Sequence, residues 1–317
     1  MTSSRATSEI QIRNFRADER EAVDAVVRLA WSELIGLMPE GDTIFRAART
    51  LNRALAGQVV TGFETQLPKL SRVDFDSGIA GRTVEKVEAK GKWMLMYFSG
   101  DLILLTHMLM SGSWHIYRPG ETWQRRVVDM RVVLKTEKIW AVAFNVPIAE
   151  FHTPDTLRRR DGFRQLGQDV LAAQFDPEQA RANLLARGDL EVGVALLTQS
   201  IMAGLGNVFK SEVCFACGVN PFRKVASLRV GELACLVETA RKFLLANVTE
   251  TSNDQIVTYT GMRRTTGRAN EEERLWVYKR RGEPCRQCGA LIESRKQGID
   301  ARTTFWCPQC QPNATSR

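Results

Sequence analysis

The most regular apolar pattern in the chain lies between residues 42 and 56. Four apolar residues recur there at i, i+4, i+7 and i+11, which places one stripe along a helix. The four are Ile44, Ala48, Leu51 and Leu55. Gly57 follows the stripe directly and is a helix stop signal. The pattern predicts an amphipathic helix that buries one face.

Met38-Pro39-Glu40-Gly41 stands at the start of this helix. A proline and a glutamate are ordinary in the first turn of a buried helix. The missing proline N–H costs nothing there, and a carboxylate suits the helix dipole. This stretch alone therefore does not indicate chemistry.

Short runs rich in Val, Ile, Leu and aromatic residues follow the helix, with turn residues between them. They predict strands over 58–63, 83–88, 93–98, 102–107, 113–117, 127–135 and 139–144. Because no helical pattern separates these runs, they predict an antiparallel β-sandwich.

The pattern becomes helical after Pro154. It predicts helices over 177–186, 192–199, 207–216 and 230–247. From about residue 261 the chain is polar and arginine-rich, and it ends in a cysteine-rich tail. The chain is therefore expected to be a multidomain α+β protein, with a sandwich domain over 38–152, a helical domain over 153–275 and a small module over 276–313.

Composition adds charge to this picture. The 317 residues carry 44 Lys+Arg against 36 Asp+Glu, a formal net charge of +8. A basic balance favours an acidic partner, with nucleic acid ahead of a membrane surface. No apolar run approaches the roughly 18 residues of a membrane span. The first thirty residues are rich in acidic side chains and are not typical of a signal peptide, so a cytoplasmic protein is expected.

Residues 1–37 differ from the rest. They contain five basic and six acidic residues, which is a net charge of −1. Since the whole chain has a net charge of +8, residues 38–317 carry +9. Asp18-x-x-Glu21 could cap a short helix. The segment resembles the opening strand and helix of an acetyltransferase domain, but it stops before any acetyl-CoA phosphate loop. We expect an extension that is foreign to the fold that follows.

The tail carries the strongest physical signal. Cys285-Arg-Gln-Cys288 and Cys307-Pro-Gln-Cys310 are two CxxC pairs with eighteen residues between them. This spacing is typical of a structural zinc site in which each pair supplies two thiolates. The intervening segment can form a basic β-hairpin suited to DNA contact. The remaining cysteines, Cys214, Cys217 and Cys235, are expected to be core thiols without metal, since disulfides are rare in the cytoplasm.

A second motif runs from Met202 to Asn207, Met-Ala-Gly-Leu-Gly-Asn, and predicts a Gly-x-Gly turn before the exposed N-terminus of a helix. Backbone N–H groups at such an end favour an anion, and small glycines let a phosphate come close. A plain helix–turn–helix of a core bundle explains the spacing equally well.

Four motifs occur in one order along residues 38–311: Met-Pro-Glu-Gly at 38–41, Gly-Lys-Trp at 91–93, the run at 202–207, and Ala-Arg-Thr-Thr-Phe-Trp-Cys-Pro-Gln-Cys-Gln at 301–311. Together they resemble the formamidopyrimidine-DNA glycosylase and endonuclease VIII family of bifunctional base-excision repair enzymes. Pro-Glu-Gly-Asp at 39–42 and Ser-Gly-Ser-Trp at 111–114 are closer to the endonuclease VIII branch, particularly its actinobacterial members.

The resemblance implies a fold and a partner. The fold is a β-sandwich headed by a catalytic helix, a helix-two-turn-helix domain and a C-terminal zinc-finger β-hairpin. The partner is double-stranded DNA with a damaged base or an abasic site, bound in the cleft by a monomer near the bacterial nucleoid. One structural zinc would be the only cofactor. Oxidised pyrimidines are the lesions that the branch suggests.

The resemblance also implies roles for individual residues. Pro39, as the N-terminal residue, would be the nucleophile that forms a Schiff base at C1′. Glu40 would be the general acid. Lys92 would contact phosphate and assist elimination, and Arg302 would grip phosphate and act in δ-elimination.

Further residues would contact DNA. Asn207 would grip phosphate, and Lys210 is expected beside it at the DNA. Leu109 and Met110 would fill the space left by an everted base, because an apolar wedge replaces lost stacking. His107, His115 and His152 are expected to be structural.

One departure bears on the chemistry. Pro39 is internal in the 317-residue chain, so its nitrogen is a tertiary amide and cannot attack. We expect that residues 1–37 come from a misassigned start and that the enzyme begins at Pro39. The alternatives are a non-catalytic protein that binds damaged or abasic DNA, proteolytic maturation, or a substitute amine such as Lys92. A smaller departure is Ala301, where the family usually has glycine.

Overall fold

A computed structural model of the chain describes residues 39–248, 265 and 274–313. The expectations for residues 1–37, including the Asp18–Glu21 capping box, lie outside this range. Among the described residues, none of the helices is both long and apolar enough to cross a bilayer.

The N-terminal domain is a β-sandwich of two four-stranded antiparallel sheets. One has the order β1-β6-β7-β5 and the other β2-β3-β4-β8. The strands are β1 (Val60–Thr65), β2 (Val84–Lys90), β3 (Trp93–Phe98), β4 (Leu102–His107), β5 (Ser113–Tyr117), β6 (Met130–Thr136), β7 (Trp140–Phe144) and β8 (Ile148–His152). Strands β3, β4 and β5 have the predicted bounds.

Helix α1 (Gly41–Leu55) covers the sheet that contains β2. Its apolar stripe is buried as predicted, with Leu51 2% and Leu55 0% exposed. Each such leucine contributes roughly 2 kcal/mol through removal of apolar surface from water. Asn52 Oδ1 accepts a 2.7 Å hydrogen bond from the Val87 N–H. Packing and this bond together fix the direction in which the N-terminus of α1 points.

Two elements of this domain were absent from the sequence prediction. Helix α2 (Pro68–Ser77) buries only Leu70, and β8 is an edge strand whose five residues are all half-buried. Residues Val127–Asp129 form a 3₁₀ turn instead of the first part of a strand.

The second domain is helical and has its own apolar core. A short helix α3 (Pro154–Arg159) precedes it. Its main helices are α4 (Pro177–Leu185), α5 (Val192–Leu197), α6 (Asn207–Ala216) and α7 (Val230–Val248), close to the predicted bounds. Helix α7 packs on α6, α4 and α1. A two-residue parallel pair joins β9 (Gln168–Asp169) to β10 (Met202–Ala203).

The expectation of three core thiols is wrong for two of them. Cys217 and Cys235 form a disulfide that joins the C-terminal end of α6 to α7, and Cys214 is a buried free thiol. The two helices pack side by side, which brings the two cysteine Cα atoms to 5.8 Å.

The C-terminal module contains the expected hairpin, formed by β11 (Glu293–Gln297) and β12 (Arg302–Trp306). Its small core combines cysteines with apolar residues and extends onto α6 through Phe215, which stacks on Trp276 at 5.4 Å. The hairpin therefore sits on the same helix that faces the sandwich.

Candidate active site and metal centre

The entry into α1 docks onto the Gly-x-Gly turn before α6. The Gly41 N–H donates to the Gly204 carbonyl at 2.8 Å. A Cβ on Gly41 would lie 2.7 Å from that oxygen, so glycine permits the close approach. The Pro39–Glu40 pair is thereby held against the helical domain.

Glu40 occupies the N-terminus of α6. Its carboxylate is 1% exposed and accepts hydrogen bonds from the backbone N–H groups of Val208 at 2.8 Å and Phe209 at 3.4 Å. The sequence predicted a phosphate near this helix end, but the anion that binds there is the protein's own carboxylate. A Cβ on Gly206 would lie 2.2 Å from Glu40 Cδ, so glycine at 206 makes room for it.

A second carboxylate also joins the two domains. Asp169 of β9 accepts from the Gly91 N–H at 2.8 Å and the Leu171 N–H at 3.0 Å. Burial raises the pKa of Asp169, and these two donors oppose that shift. Gly91 has φ +58° and directly precedes Lys92, so Asp169 fixes the turn that presents Lys92.

These contacts enclose a cavity of about 130 Å³ between the sandwich, α6 and the hairpin. Seven of the predicted functional residues line it: Pro39, Glu40, Lys92, Leu109, Met110, Asn207 and Arg302. Residues separated by up to 263 positions in sequence thus meet at one place. The cavity combines a candidate nucleophile position, a carboxylate, cationic groups and an apolar edge.

The apolar edge is a tight loop after β4. Leu109 is 46% and Met110 62% exposed, although both are large and apolar. Leu109 has φ +46°, and its N–H donates to His107 Nδ1 at 3.0 Å. The loop closes where the Gly112 N–H donates to the Met108 carbonyl at 2.8 Å. The strained backbone therefore displays two apolar side chains at the cavity mouth.

His107, which we expected to be structural, also lines the cavity. Burial, with Lys92 and Arg160 nearby, lowers its pKa to about 4. The ring, neutral at neutral pH, accepts the Leu109 N–H and supports the loop 108–112, here called the wedge loop. The pairing of β4 with β3, which sequence spacing does not contain, places His107 opposite Trp93, the residue after Lys92.

Asn207 connects α6 to the hairpin. Its Nδ2 donates to the Thr303 carbonyl at 2.9 Å, and its Oδ1 is buried with no hydrogen-bond partner among the residues that the structure describes. Asn207 therefore lines the cavity, and this bond engages one of the two N–H groups of its side-chain amide.

Lys210 does not fit its predicted contact with DNA. Its side chain is 0% exposed, and Nζ donates to Thr304 Oγ1 at 2.6 Å. That hydroxyl in turn donates to Gln297 Oε1 at 2.7 Å. Burial lowers the pKa of Lys210 to about 8, while Cys214 and Glu40 favour its charged form. In this structure the ammonium is a buried link between α6 and the hairpin.

Arg302 opens β12 and reaches across the cavity. Its Nη1 lies 3.8 Å from the Met110 sulfur, on the loop of the opposite domain. The preceding residue, Ala301, has φ +48°, a conformation that favours glycine. The substitution noted from the sequence keeps the turn that aims Arg302.

Glu212 was not singled out by the sequence and anchors the segment that leads to the C-terminal module. Its fully buried carboxylate accepts from the backbone N–H groups of Trp276, Val277 and Tyr278 at 2.8–2.9 Å. The Thr265 hydroxyl adds a fourth donor. Burial raises the pKa of Glu212, and the four donors oppose it.

The four tail cysteines come together as a metal site. The sulfurs of Cys285, Cys288, Cys307 and Cys310 lie within 4.8 Å of one another, with Cys285–Cys310 at 3.9 Å and Cys288–Cys307 at 3.5 Å. Four thiolates about 2.3 Å from a tetrahedral zinc would be about 3.8 Å apart. The donor set and spacing fit one structural zinc, as predicted.

Comparison with known families gives three matches in chain order. The "Formamidopyrimidine-DNA glycosylase N-terminal domain" matches residues 38–147, the "Formamidopyrimidine-DNA glycosylase H2TH domain" residues 166–258, and the "Zinc finger found in FPG and IleRS" residues 282–313.

Curated relatives match over nearly their whole length. The probable endonuclease 8 2 of Streptomyces coelicolor is 38% identical over 283 residues, which cover 88% of this chain and 96% of the relative. The DNA-(apurinic or apyrimidinic site) lyase Nei2 of Mycolicibacterium smegmatis is 35% identical, with 86% and 99% covered. Endonuclease 8 of Escherichia coli is 32% identical, with 86% and 100% covered.

A solved structure has the same fold. The Lactococcus lactis Fpg in complex with abasic-site DNA superposes with a TM-score of 0.71 at 21% identity, over 87% of this chain and 100% of that one.

Proposed function

The chain belongs to the formamidopyrimidine-DNA glycosylase and endonuclease VIII family, and on that premise we propose that it is a bifunctional DNA glycosylase and AP lyase of base-excision repair. The observation that carries the proposal is the meeting of Pro39, Glu40, Lys92 and Arg302 at one cavity. These groups supply a candidate amine position, a proton carrier and two cations to hold a phosphate backbone.

The chemistry proposed for Pro39 requires a free secondary amine. Its nitrogen lone pair forms a bond to C1′ of the damaged nucleotide while the bond from C1′ to the base breaks, and the base leaves with a proton. Ring opening then gives an iminium between Pro39 and C1′. Loss of a proton from C2′ expels the 3′ phosphate in β-elimination.

Glu40 is proposed as the residue that moves protons in these steps. It is adjacent to Pro39, and two N–H groups of α6 hold its carboxylate at the cavity wall. Lys92, on the turn fixed by Asp169, is proposed to hold phosphate and assist elimination. Arg302 is proposed to hold the phosphate from the hairpin side and to act in δ-elimination.

Leu109 and Met110 are proposed to fill the space left by the everted base. Both are exposed, and both lie on a tight hydrogen-bonded loop at the cavity mouth. Burial of apolar side chains in the stack offsets the lost base stacking. Asn207 is proposed to grip phosphate beside them.

We further propose that the active enzyme begins at Pro39. Within the 317-residue chain the Pro39 nitrogen is bonded to Met38 and is not nucleophilic. The N-terminal family match begins at residue 38, which supports this start.

We propose that the enzyme acts as a monomer, in the bacterial cytoplasm near the nucleoid, on double-stranded DNA. The likeness to proteins named endonuclease 8 supports oxidised pyrimidines as its substrates.

Borohydride trapping on abasic-site DNA tests the proposal. The 317-residue chain and a chain that begins at Pro39 are incubated with the same labelled duplex and reduced. We expect a covalent adduct with the shorter chain and none with the longer one. Pro39→Ala in the shorter chain should abolish trapping, whereas retained trapping would assign the amine to another group such as Lys92.

The second candidate is a protein that binds abasic DNA without cleaving it, because Pro39 is blocked in the longer chain. If neither chain is trapped while both bind the duplex, this second function replaces the first.

A further inference from the structure

The tip of the hairpin displays an isoleucine to solvent. Ile299 is 103% exposed, the highest value among the large apolar side chains of the described residues. The turn that carries it is tight: the Ala301 N–H donates to the Gly298 carbonyl at 3.1 Å, and both residues have positive φ. Ile299 is thus held outward by defined backbone geometry.

The tip lies at the edge of the cavity. Asp300 and Arg302, on either side of Ala301, both line it. Arg302 reaches the Met110 sulfur at 3.8 Å, so the hairpin approaches the wedge loop from the opposite side. Ile299 precedes the lining residue Asp300 and is therefore an exposed apolar side chain next to the cavity that Leu109 and Met110 line.

The side chains around the tip carry three positive charges against the one negative charge of Asp300, and this basic balance indicates what covers it. Arg295 and Lys296 on β11 are exposed, and Arg302 opens β12. Cations of this kind bring phosphates to the hairpin, and the surface between neighbouring phosphates consists largely of deoxyribose and base edges. An aliphatic side chain at that level would leave water for the apolar part of the nucleotide.

We propose that Ile299 packs on the sugar and base edge of duplex DNA beside the everted nucleotide. The C-terminal module, 276–313, here called the finger, then binds DNA through an apolar contact as well as through its cations. This inference rests on the proposed function, since it requires that damaged DNA occupy the cavity.

Leu291 provides a matched control. It is a large aliphatic residue of the same module and is 61% exposed. It precedes β11 at the end of the hairpin opposite the tip, where it forms a bridge with Pro284. The two positions share chemistry and module but differ in their distance from the cavity.

The test is equilibrium binding of the 317-residue chain to a duplex with a tetrahydrofuran abasic analogue, over a series of salt concentrations. Ile299→Ser should weaken binding by about tenfold. The slope of log K against log salt should stay unchanged, because no phosphate contact is removed. Leu291→Ser should bind like the unaltered chain, and Ile299→Leu should restore most of the affinity.

Two results would overturn the inference. One is unchanged affinity of Ile299→Ser with its zinc retained. The other is an equal loss in Leu291→Ser, which would indicate a general effect on the module. Neither result affects trapping by the chain that begins at Pro39. If the unaltered 317-residue chain and the chain that begins at Pro39 both fail to bind the duplex, the proposed function itself fails.

Discussion

Gly206 sets the position of Glu40 at the scale of single residues. Because a Cβ there would lie 2.2 Å from Glu40 Cδ, Gly206→Ala must push the carboxylate off the N-terminus of α6. If Glu40 has its proposed role, the single-turnover excision rate of the chain that begins at Pro39 should fall by about 100-fold, since a shift of about 1 Å in a catalytic group has that effect. DNA affinity should change little.

The control for that change is Gly231→Ala. Gly231 lies in α7, and a Cβ there would meet nothing within 4 Å. Alanine is the better helix former, so this variant should keep its activity and gain up to about 1 kcal/mol of stability. A Gly206→Ala enzyme as active as the control would show that the Glu40 contact is dispensable.

His115 makes stability depend on pH. Burial, with Arg125 nearby, lowers its pKa to about 4 from an ordinary 6.5. The unfolded chain therefore binds more protons between those values, and the free energy of unfolding falls as pH is lowered through that window, by up to about 3 kcal/mol for this group.

Denaturant unfolding at several pH values between 7 and 4.5 checks the expectation for His115. His115→Phe should reduce the pH dependence of the unfolding midpoint, whatever it does to the midpoint itself at pH 7. Part of the pH dependence should remain in the variant, because the pKa of His107 is also lowered to about 4 and His107 is still present. An unaltered slope would contradict the assignment.

Residue identity predicted seven of the residues that line the candidate site. Lys210 carries a charge typical of DNA contact, but α6 turns it into the interior toward Thr304. Cys217 and Cys235 are eighteen positions apart, and the packing of α6 on α7 brings them together. His107 lies beside the site because β4 pairs with β3. Each of these placements depends on a side-chain direction that one-dimensional spacing does not contain.

Helix α6 organises the site at the scale of elements. Its N-terminus holds Glu40, Asn207 and Lys210 hold β12, and Glu212 holds the segment before the finger. This ten-residue helix thereby fixes the position of the Pro39–Glu40 side of the cavity relative to the strand that carries Arg302.

Glu212→Gln tests that role of α6. The NH2 group of glutamine would face the Trp276 N–H and the Thr265 hydroxyl, or else the N–H groups of Val277 and Tyr278. In either orientation at least one backbone N–H loses its acceptor at a fully buried position, at a cost of about 2–3 kcal/mol. We expect the finger to shift, which should lower δ-elimination relative to β-elimination on abasic DNA while trapping by the chain that begins at Pro39 persists.

Product analysis on a denaturing gel separates the two elimination products. Glu238→Gln, an exposed change on α7, should leave their ratio unchanged. If the Glu212→Gln protein retains both its zinc and the parental product ratio, Glu212 stabilises the fold but does not position the finger.

Elements with strong internal patterns were predictable. Strands β3, β4 and β5 and helix α6 have the predicted bounds, because turn residues mark their ends. Helix α2 and strand β8 were not, since each contributes few buried residues and its periodicity is weak. The pair β9–β10 is too short to leave any pattern, although it positions Asp169.

The whole molecule has separate cores for the sandwich, the helical domain and the finger. Cys288→Ser should therefore release zinc and weaken DNA binding, while the sandwich and helical domain keep their secondary structure. Cys214→Ala, at a buried thiol outside the metal cluster, should keep one zinc per chain. Metal analysis and circular dichroism check both, and zinc retained in Cys288→Ser would contradict the four-cysteine site.

Each domain could be predicted from its own pattern, and the way the domains join could not. Two carboxylates connect the domains by accepting hydrogen bonds from backbone N–H groups of another domain. Glu40 accepts from the Val208 N–H of α6, and Asp169 accepts from the Gly91 N–H. An acceptor of this kind carries no sequence signature, because any residue except proline supplies the donor.

The hydrogen bond from Asn207 to Thr303 has a thermodynamic consequence for ligand entry. The side-chain amide of Asn207 has two N–H groups, and the hairpin carbonyl accepts from one of them. This bond restricts the rotamer of Asn207 before any ligand arrives, so the proposed phosphate contact of the second N–H would cost less conformational entropy. Loosening the hairpin would therefore weaken the proposed phosphate contacts of Asn207 and Arg302 together.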